Sequence, residues 1–300
     1  MRPDLKRTES ELPELSGIDT WIDAKILRTL IAGQERAVAA VTAAIPMISE
    51  AANIVATCLD GGGRLYYAGA GTSIRIGVQD GSELPATFGM AEDRLAYIIA
   101  GGRAAMFESF ADAEDDADEG RRAASVCKSG DALIAIAASG STPYTIAAAT
   151  RARELGARVI AIVNNPNSPL AAAADVEVFL DSGPEVITGS TRMGAGTAQK
   201  AALNLLSTLT HIKLGAVHDG MMVNVRAGNL KLKARACKIV SRIANANERD
   251  AAAALEATRG EIKPAVLICA GAKSPEEARL LLKEGQGNLR LALSRLALPA

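Results

Sequence analysis

The stretch that decides the fold runs from Leu65 to Ser73 and reads Leu-Tyr-Tyr-Ala-Gly-Ala-Gly-Thr-Ser. A second stretch of the same kind, Leu-Ile-Ala-Ile-Ala-Ala-Ser-Gly-Ser-Thr-Pro, runs from Leu133 to Pro143. Each is a short apolar run, typical of a buried parallel strand, that ends in a cluster of Gly, Ser and Thr before a helical pattern begins. Such a cluster places hydroxyls and free backbone N–H groups at a helix N-terminus, where the dipole favours an anion. The pair therefore predicts a ligand that is held by its phosphate.

Apolar runs alternate with helical patterns over most of the chain. Strands are predicted at 64–68, 97–100, 132–137, 159–163 and 176–180. This alternation predicts an α/β fold, with a doubly wound, flavodoxin-like parallel sheet that has helices on both faces. Ligands of such sheets bind beyond the carboxyl ends of the strands, so both clusters are expected in one pocket.

The sequence divides into three parts. Residues 1–60 read as an irregular arm followed by helices that pack on the main domain, and residues 61–226 carry the alternating pattern. Residues 227–300 are helical only and predict a small C-terminal all-helical appendage. Two helices of the middle part matter for the site: a strongly charged helix at 111–126 and a long helix at 190–214.

Composition excludes several classes of partner. The 300 residues carry a net charge of −1, which gives no electrostatic reason to expect nucleic acid or an anionic membrane. No apolar run reaches the roughly 20 residues that span a bilayer, and no secretory signal is expected at the N-terminus. The four cysteines are far apart and read as free thiols of a cytoplasmic protein. Two histidines without clustered partners make a metal site unexpected.

The two clusters by themselves indicate a sugar-phosphate or nucleotide ligand. The first cluster lacks the Lys of a Walker loop and does not complete the Gly-x-Gly-x-x-Gly pattern of dinucleotide-binding domains. The candidate phosphate donors are the hydroxyl residues Thr72, Ser73, Ser139, Ser141 and Thr142. The alternative is that both clusters are ordinary tight turns between a strand and a helix. Two carboxylates, Glu83 and Glu114, lie near the clusters in sequence, but a Glu near a helix start is usually a surface residue.

Several segments, taken in order, resemble those of N-acetylmuramic acid 6-phosphate etherases. The similar segments are 69–73, 83–88, 113–116, 137–144, 165–170 and 183–192, continuing through 196–200 and Asn204. Thr8-Glu9-Ser10 is similar to the N-terminal start of that family, and the resemblance covers essentially the whole chain. It implies a sugar isomerase (SIS) fold and a homodimer. It also implies cleavage of the D-lactyl ether of N-acetylmuramic acid 6-phosphate, giving N-acetylglucosamine 6-phosphate and D-lactate in cell-wall amino-sugar recycling.

The resemblance also assigns the catalytic pair. In the family, the Glu that matches Glu83 is the proton donor, and the one that matches Glu114 is the second catalytic residue. In the open-chain sugar the C1 aldehyde acidifies the C2 proton, so its removal lets lactate leave from C3 before water adds back. This route needs a base at C2 and an acid at the ether oxygen. Two carboxyls with separated pKa values supply both, so no metal or organic cofactor is expected.

Further residues of the matched segments are candidate ligands of the sugar. Residues 185–191 are expected to form a loop at the sugar, with Glu185, Ser190 and Thr191 as binding residues. His218 is either an active-site contributor from the partner subunit or a surface histidine. Three more matched residues have other interpretations. Arg192 is alternatively a member of a structural ion pair, and Gln199 and Asn204 are alternatively residues that face the subunit interface.

The chain departs from the family pattern beside both clusters. Ile74 stands where the family has Gly, Leu84 where it has Cys, and Ser141 where it has Arg. A β-branched residue next to the phosphate turn is costly wherever positive φ or close approach is needed. An etherase with an altered substrate, a non-catalytic SIS regulator that binds a sugar phosphate, and an aldose–ketose isomerase therefore stay open. Retention of Glu83 and Glu114 favours the etherase, because a regulator needs no acid–base pair.

Overall fold

The computed structural model describes residues 7–108, 110–225 and 229–296, and its centre is a five-stranded parallel sheet. The strands are β1 (Leu65–Gly69), β2 (Leu95–Ile99), β3 (Ala132–Ala137), β4 (Arg158–Val163) and β5 (Val176–Phe179). They lie in the order β2-β1-β3-β4-β5, and every neighbouring pair is parallel. This is the flavodoxin-like order, so the predicted doubly wound sheet is confirmed.

Helices cover the sheet because its strands are mostly apolar. The helices of this part are α1 (Asp23–Ala43), α2 (Ile45–Asp60), α3 (Gly71–Phe88), α4 (Ala117–Ala123), α5 (Pro143–Glu154), α6 (Pro169–Ala172) and α7 (Gly194–Lys213). The central strand β3 is fully buried along its length. Helix α5 contributes Ala148, Ala149 and Ala152 to the core, and their small side chains let the helix lie close to the strands.

The chain divides into two compact units. Within the described residues, the first comprises 7–82 and 93–209 and contains the sheet; the second comprises 83–92 and 210–296. The second unit has a short antiparallel pair, β6 (Val217–His218) and β7 (Met221–Met222). Its helices are α8 (Leu230–Ala244), α9 (Glu248–Ala257), α10 (Ile262–Cys269), α11 (Pro275–Glu284) and α12 (Leu289–Leu296). The prediction of a helical C-terminal region is confirmed, while the three-part division of the chain stays a prediction.

The buried helix α10 forms the centre of the second unit. Its residues Ala265, Val266 and Leu267 are fully buried, and α8, α9, α11 and α12 add apolar side chains around them. Among the residues that the structure describes, no single helix is long and apolar enough to cross a membrane. One bent pair, α1 with α2, passes that test only when its two helices are taken together.

Three helix boundaries near the site differ from their predictions. The charged segment predicted as one helix over 111–126 is interrupted, because the Asp116 side chain accepts a hydrogen bond from the Glu119 N–H at 2.8 Å and starts α4 there. Glu114 consequently ends a separate 3₁₀ turn, Ala111–Glu114. The long helix starts at Gly194 rather than at residue 190, since the Glu185 carboxylate caps it. Helix α3 continues through Pro85 to Phe88, so Glu83 lies inside this helix, whereas its position in the sequence predicts a place just beyond the first helix after the first cluster.

Candidate active site

A cavity of 350 Å³ in the first unit joins the two Gly/Ser/Thr clusters. It lies where β1 and β3 end, and the residues that line it include Thr72, Ser73, Ser139 and Thr142. The expectation that both clusters meet in one pocket is confirmed. Each cluster precedes the first turn of a helix, whose N–H groups have no partner within the helix and are free for an anion.

The turn after β1 is built around Gly71. Its φ of +52° is in the left-handed region, which favours glycine. A Cβ at this position would also lie 2.8 Å from Oε1 of Glu114. Gly71 therefore serves two purposes: it lets the chain turn into α3, and it leaves room for a carboxylate above the turn.

The turn after β3 holds hydroxyls and no carboxylate. Gly140 has a φ of +64°, and a Cβ there would lie 2.3 Å from Ser168. The Ser139 oxygen accepts hydrogen bonds from the Ser141 N–H at 3.2 Å and from the Ser141 hydroxyl at 3.1 Å. Ser139 and Thr142 line the cavity, whereas Ser141 is not among its lining residues. The structure thus brings four of the five candidate phosphate donors into the cavity.

Glu114 supplies a carboxyl group to the cavity. Burial raises its pKa, the neighbouring Asp115 carboxylate raises it further, and the Arg75 guanidinium partly opposes both effects. Arg75 is held in place by the main-chain carbonyls of Ala105 and Glu108, to which it donates hydrogen bonds of 2.8–3.1 Å. A half-buried carboxyl with a raised pKa is a stronger base than a free one, which suits proton abstraction.

The loop of residues 185–191 contributes only part of what was predicted. Gly189 and Thr191 line the cavity, but Ser190 does not. The Glu185 carboxylate is buried and accepts the Gly194 and Ala195 N–H groups at 2.8 Å each, so it fixes the start of α7. The structure therefore does not bring Glu185 and Ser190 to the cavity, and their predicted roles as sugar ligands stay predictions.

Glu83 and His218 belong to the second unit. Glu83 is exposed on α3, and His218 is buried on β6 with its Nε2 atom 3.5 Å from a carboxylate oxygen of Asp219. Burial lowers the pKa of His218, and the Asp219 carboxylate opposes this shift. The roles predicted for Glu83 and His218 remain predictions.

Two of the three other matched residues, Gln199 and Asn204, are held by contacts within the first unit. Gln199 donates a hydrogen bond to Asn164 at 3.0 Å, and Asn204 donates one to Asp80 at 2.6 Å, so both amides are engaged inside this unit. Arg192 is exposed and forms no ion pair with any described residue, which gives no support to the ion-pair alternative.

Ile74 does not disturb the phosphate turn. It is buried, its φ is not positive, and its Cβ lies 3.4 Å from where a Cβ on Gly69 would stand. Its side chain is not among those that line the cavity. The predicted cost at this position does not arise, because the residue lies on the face of α3 that packs on the sheet.

Three charged residues that line the cavity, Arg75, Glu9 and Glu108, were not predicted from the sequence as site residues. Arg75 follows the first cluster by two positions, which is a detectable signal. Glu9 lies in the N-terminal arm, far from either cluster in sequence. Among the described residues, no group of three or more His, Cys, Asp or Glu side chains is arranged to hold a metal ion.

Two known family models match the part of the chain that contains the sheet. The model of the SIS domain matches residues 106–209, and that of the N-terminal SIS domain of glucokinase regulatory protein matches residues 47–152. A phosphoheptose isomerase structure from Francisella tularensis aligns with a TM-score of 0.46 at 20% identity, covering 62% of this chain and 96% of that chain. The chain is an SIS-domain protein.

Full-length relatives narrow the class to one family. The N-acetylmuramic acid 6-phosphate etherase of Deinococcus radiodurans is 42% identical over 292 residues, which cover 97% of this chain and 96% of the relative. The etherase of Streptomyces avermitilis is 45% identical over 291 residues, covering 96% and 93%. The chain belongs to the N-acetylmuramic acid 6-phosphate etherase family, and the resemblance stated from its sequence is confirmed.

Proposed function

We propose that this chain cleaves the D-lactyl ether of N-acetylmuramic acid 6-phosphate, giving N-acetylglucosamine 6-phosphate and D-lactate in cell-wall amino-sugar recycling. The observation that carries the proposal is the shared cavity. Hydroxyls at two helix N-termini suit a phosphate, and the half-buried carboxyl of Glu114 suits a proton transfer. Family membership gives the substrate.

The phosphate subsite explains how the sugar is positioned. Thr72 and Ser73 begin α3, while Ser139 and Thr142 precede α5, so hydroxyl and N–H donors from two turns surround one anion. The phosphate takes no part in the bond changes. Its binding energy instead holds C2 and C3 at the catalytic groups, which lowers the entropy cost of reaching the transition state.

The chemistry at C2 and C3 needs one base and one acid. Glu114 takes the C2 proton of the open-chain sugar, and the electron pair of that C–H bond forms the C2–C3 double bond as the C3–O bond breaks. The acid, assigned to Glu83 by the family pattern, protonates the departing lactate oxygen. Water then adds at C3 while C2 regains a proton. This elimination and hydration make the enzyme a carbon–oxygen lyase, with side chains performing every proton transfer.

The acid reaches the cavity from a second copy of the chain. Helix α3 leads away from the first cluster: Ser82, the residue before Glu83, lies eleven residues after Gly71, about 16 Å at the rise of an α-helix. By Asp80 the helix is already level with the middle of β1, because the Asp80 carboxylate accepts a hydrogen bond from the Tyr67 hydroxyl at 2.8 Å. We therefore propose a homodimer in which Glu83 of the partner subunit completes each cavity.

The reaction is tested by following lactate and isotope together. Purified protein is incubated with N-acetylmuramic acid 6-phosphate in deuterated water, and D-lactate and the mass of the sugar product are measured. Equal amounts of lactate and of sugar carrying deuterium at C2 support the proposal. Saturable binding without lactate would replace it with a regulator, and a ketose product without lactate would replace it with an isomerase.

The shared site is tested by mixing two inactive variants. If Glu114 and the partner's Glu83 act in one cavity, mixed dimers of Glu83→Gln and Glu114→Gln contain one intact and one doubly altered cavity. Random exchange then restores about a quarter of wild-type activity, since half of the dimers are mixed and each has one working site. Native mass spectrometry of the mixture verifies that mixed dimers form. Mixed dimers without activity would contradict the proposal.

The free thiols are consistent with a cytoplasmic setting. All four cysteines are free, and Cys58 and Cys127 are buried without a disulfide partner. Free buried thiols are typical of reducing compartments, which supports a cytoplasmic enzyme.

A further inference from the structure

Glu9, an exposed residue of the N-terminal arm, lines the cavity with its carboxylate. It lines the cavity together with Glu114, although 105 positions separate the two residues in the sequence. The base and acid of the proposed reaction are assigned to Glu114 and Glu83, so Glu9 has no part in that chemistry. Its position calls for a separate explanation.

The arm that carries Glu9 is fixed to the sheet. Thr8 is fully buried, and its N–H and hydroxyl both contact the Asn165 side chain, at 3.4 Å and 3.0 Å. Asn165 also donates a hydrogen bond to the Ala138 carbonyl at 2.9 Å, which ties the arm to the turn after β3. Arg7 forms an ion pair with Asp181 just beyond β5. The residues on which Glu9 depends are therefore anchored at the carboxyl ends of the strands.

The Glu9 carboxylate lies against the loop that precedes α7. A Cβ added to Gly189 would lie 2.8 Å from Oε2 of Glu9. Gly189 also has a φ of +73°, and both Gly189 and Thr191 line the cavity. The absence of a side chain at Gly189 leaves space for the carboxylate at the cavity wall.

The chemistry of a carboxylate limits what Glu9 can bind. Among the described residues, no hydrogen-bond donor or cation pairs with its carboxylate. An ionised carboxylate only accepts hydrogen bonds, and it repels a phosphate or the lactyl carboxylate. The donors that remain on the proposed substrate are its sugar hydroxyls and its amide N–H.

We propose that Glu9 is a substrate-binding residue that accepts a hydrogen bond from a hydroxyl or amide N–H of the sugar, on the part of the molecule away from the phosphate. This inference rests on the proposed function for the identity of the sugar. The N-terminal arm thereby contributes to specificity: it selects a ligand with a donor beside Gly189 and disfavours one with an anionic group there.

The test compares Glu9 with a neighbour on the same arm. Glu9→Ala and Glu9→Gln are measured beside Glu11→Gln, which makes the same charge change at an exposed residue outside the cavity. We expect Glu9→Ala to lower kcat/KM about 10- to 100-fold, mainly through KM, and Glu9→Gln to lie between it and the wild type. We expect Glu11→Gln to stay within about twofold of the wild type.

A second measurement distinguishes the loss of a contact to the sugar from a change in the shape of the cavity. Inorganic phosphate, used as a competitive inhibitor, reports on the hydroxyl turns alone, and its inhibition constant should be the same in all four proteins. Weaker phosphate inhibition in Glu9→Ala would overturn the proposal, since the residue would then act through the shape of the cavity. A fall in kcat at unchanged KM would also overturn it, because Glu9 would then belong to the acid–base machinery.

The contact between Thr8 and Asn165, which holds the arm on the sheet, offers an independent variant. Thr8→Val removes the hydroxyl that contacts Asn165 and keeps the shape of the side chain, so it should raise KM in the same direction as Glu9→Gln. Calorimetric binding of N-acetylglucosamine 6-phosphate to wild type and Glu9→Ala tests the role without turnover. Weaker binding by the variant supports Glu9 even if the wild type releases no lactate, and equal binding overturns it.

Discussion

The turn after β1 and the turn after β3 use the same backbone design for different purposes. Each follows a buried strand, contains a left-handed glycine and leads into a helix. Above Gly71 the space is filled by the Glu114 carboxylate, whereas Gly140 is packed against Ser168 and the hydroxyls of Ser139 and Ser141 bond to each other. In the proposed mechanism, one turn thus combines a helix start that binds phosphate with a proton-transfer group, while the other has hydroxyls only.

The difference between the turns separates two proposed tasks of the cavity, which are to bind a charged ligand and to transfer a proton. Helix N-termini stabilise a phosphate, and burial or a nearby negative charge raises the pKa of a carboxyl and makes it a stronger base. The pKa of Glu114 is raised by burial and by Asp115, not by contact with the hydroxyl turn. Changes at Glu114 should therefore alter turnover, and changes at Ser139 and Thr142 should alter binding.

The largest effect on lactate release is expected for substitution of the Glu114 carboxyl. Glu114→Gln keeps the size of the side chain and removes the base, so lactate release should fall by about 10² to 10⁴, the range that general acid–base catalysis supplies. Binding of N-acetylglucosamine 6-phosphate, measured by calorimetry, should stay near the wild-type value. Asp112→Asn, an exposed residue of the same turn, serves as the control. A Glu114→Gln enzyme within tenfold of the wild type would remove Glu114 from the chemistry.

The next largest effect is expected on kcat when Gly71, which lies beside the Glu114 carboxyl, is substituted. Gly71→Ala introduces a Cβ that collides with Glu114 and strains a left-handed residue, so kcat should fall at least about tenfold. Gly62→Ala is the matched control: its φ of +88° gives a comparable strain, but a Cβ there meets nothing within 4 Å. Equal losses in the two variants would mean that strain, and not displacement of Glu114, is responsible.

A smaller effect is expected at the hydroxyl turn. The double variant Ser139→Ala with Thr142→Val removes two donors and leaves the carboxyl turn intact, so KM should rise about tenfold or more while kcat changes little. Initial rates across substrate concentration separate the two parameters. A loss confined to kcat would contradict the assignment of this turn to the phosphate.

The smallest expected effect is a shift in the pH dependence of kcat/KM. A base must be deprotonated, and burial together with Asp115 raises the pKa of Glu114, so the acid limb of kcat/KM should lie above the usual range of a free Glu. Asp115→Asn removes a like charge, which lowers that pKa and moves the limb to lower pH. Asp112→Asn should leave the limb in place. A limb that moves to higher pH in Asp115→Asn would contradict this account.

The local part of the fold and site was predictable from sequence, and the long-range part was not. Both turns, the five strands and the pairing of the clusters follow from apolar runs that end in small residues, because these patterns are local. The break at Asp116 was missed since a helix cap looks like one more acidic residue in a charged helix. Glu9 was missed because its position depends on the Thr8–Asn165 contact, which joins residues 157 positions apart. Glu185 matched the family pattern, but its position depends on the start of α7, which the pattern does not reveal.

The division of labour between the two turns is tested most directly by proton exchange at C2. N-acetylglucosamine 6-phosphate is incubated in deuterated water at saturating concentration with wild type, Glu114→Gln and the Ser139→Ala, Thr142→Val double variant, and deuterium at C2 is followed by NMR. Exchange is expected with the wild type and with the hydroxyl variant, and none above background with Glu114→Gln. Exchange by Glu114→Gln at the wild-type rate would contradict this division of labour.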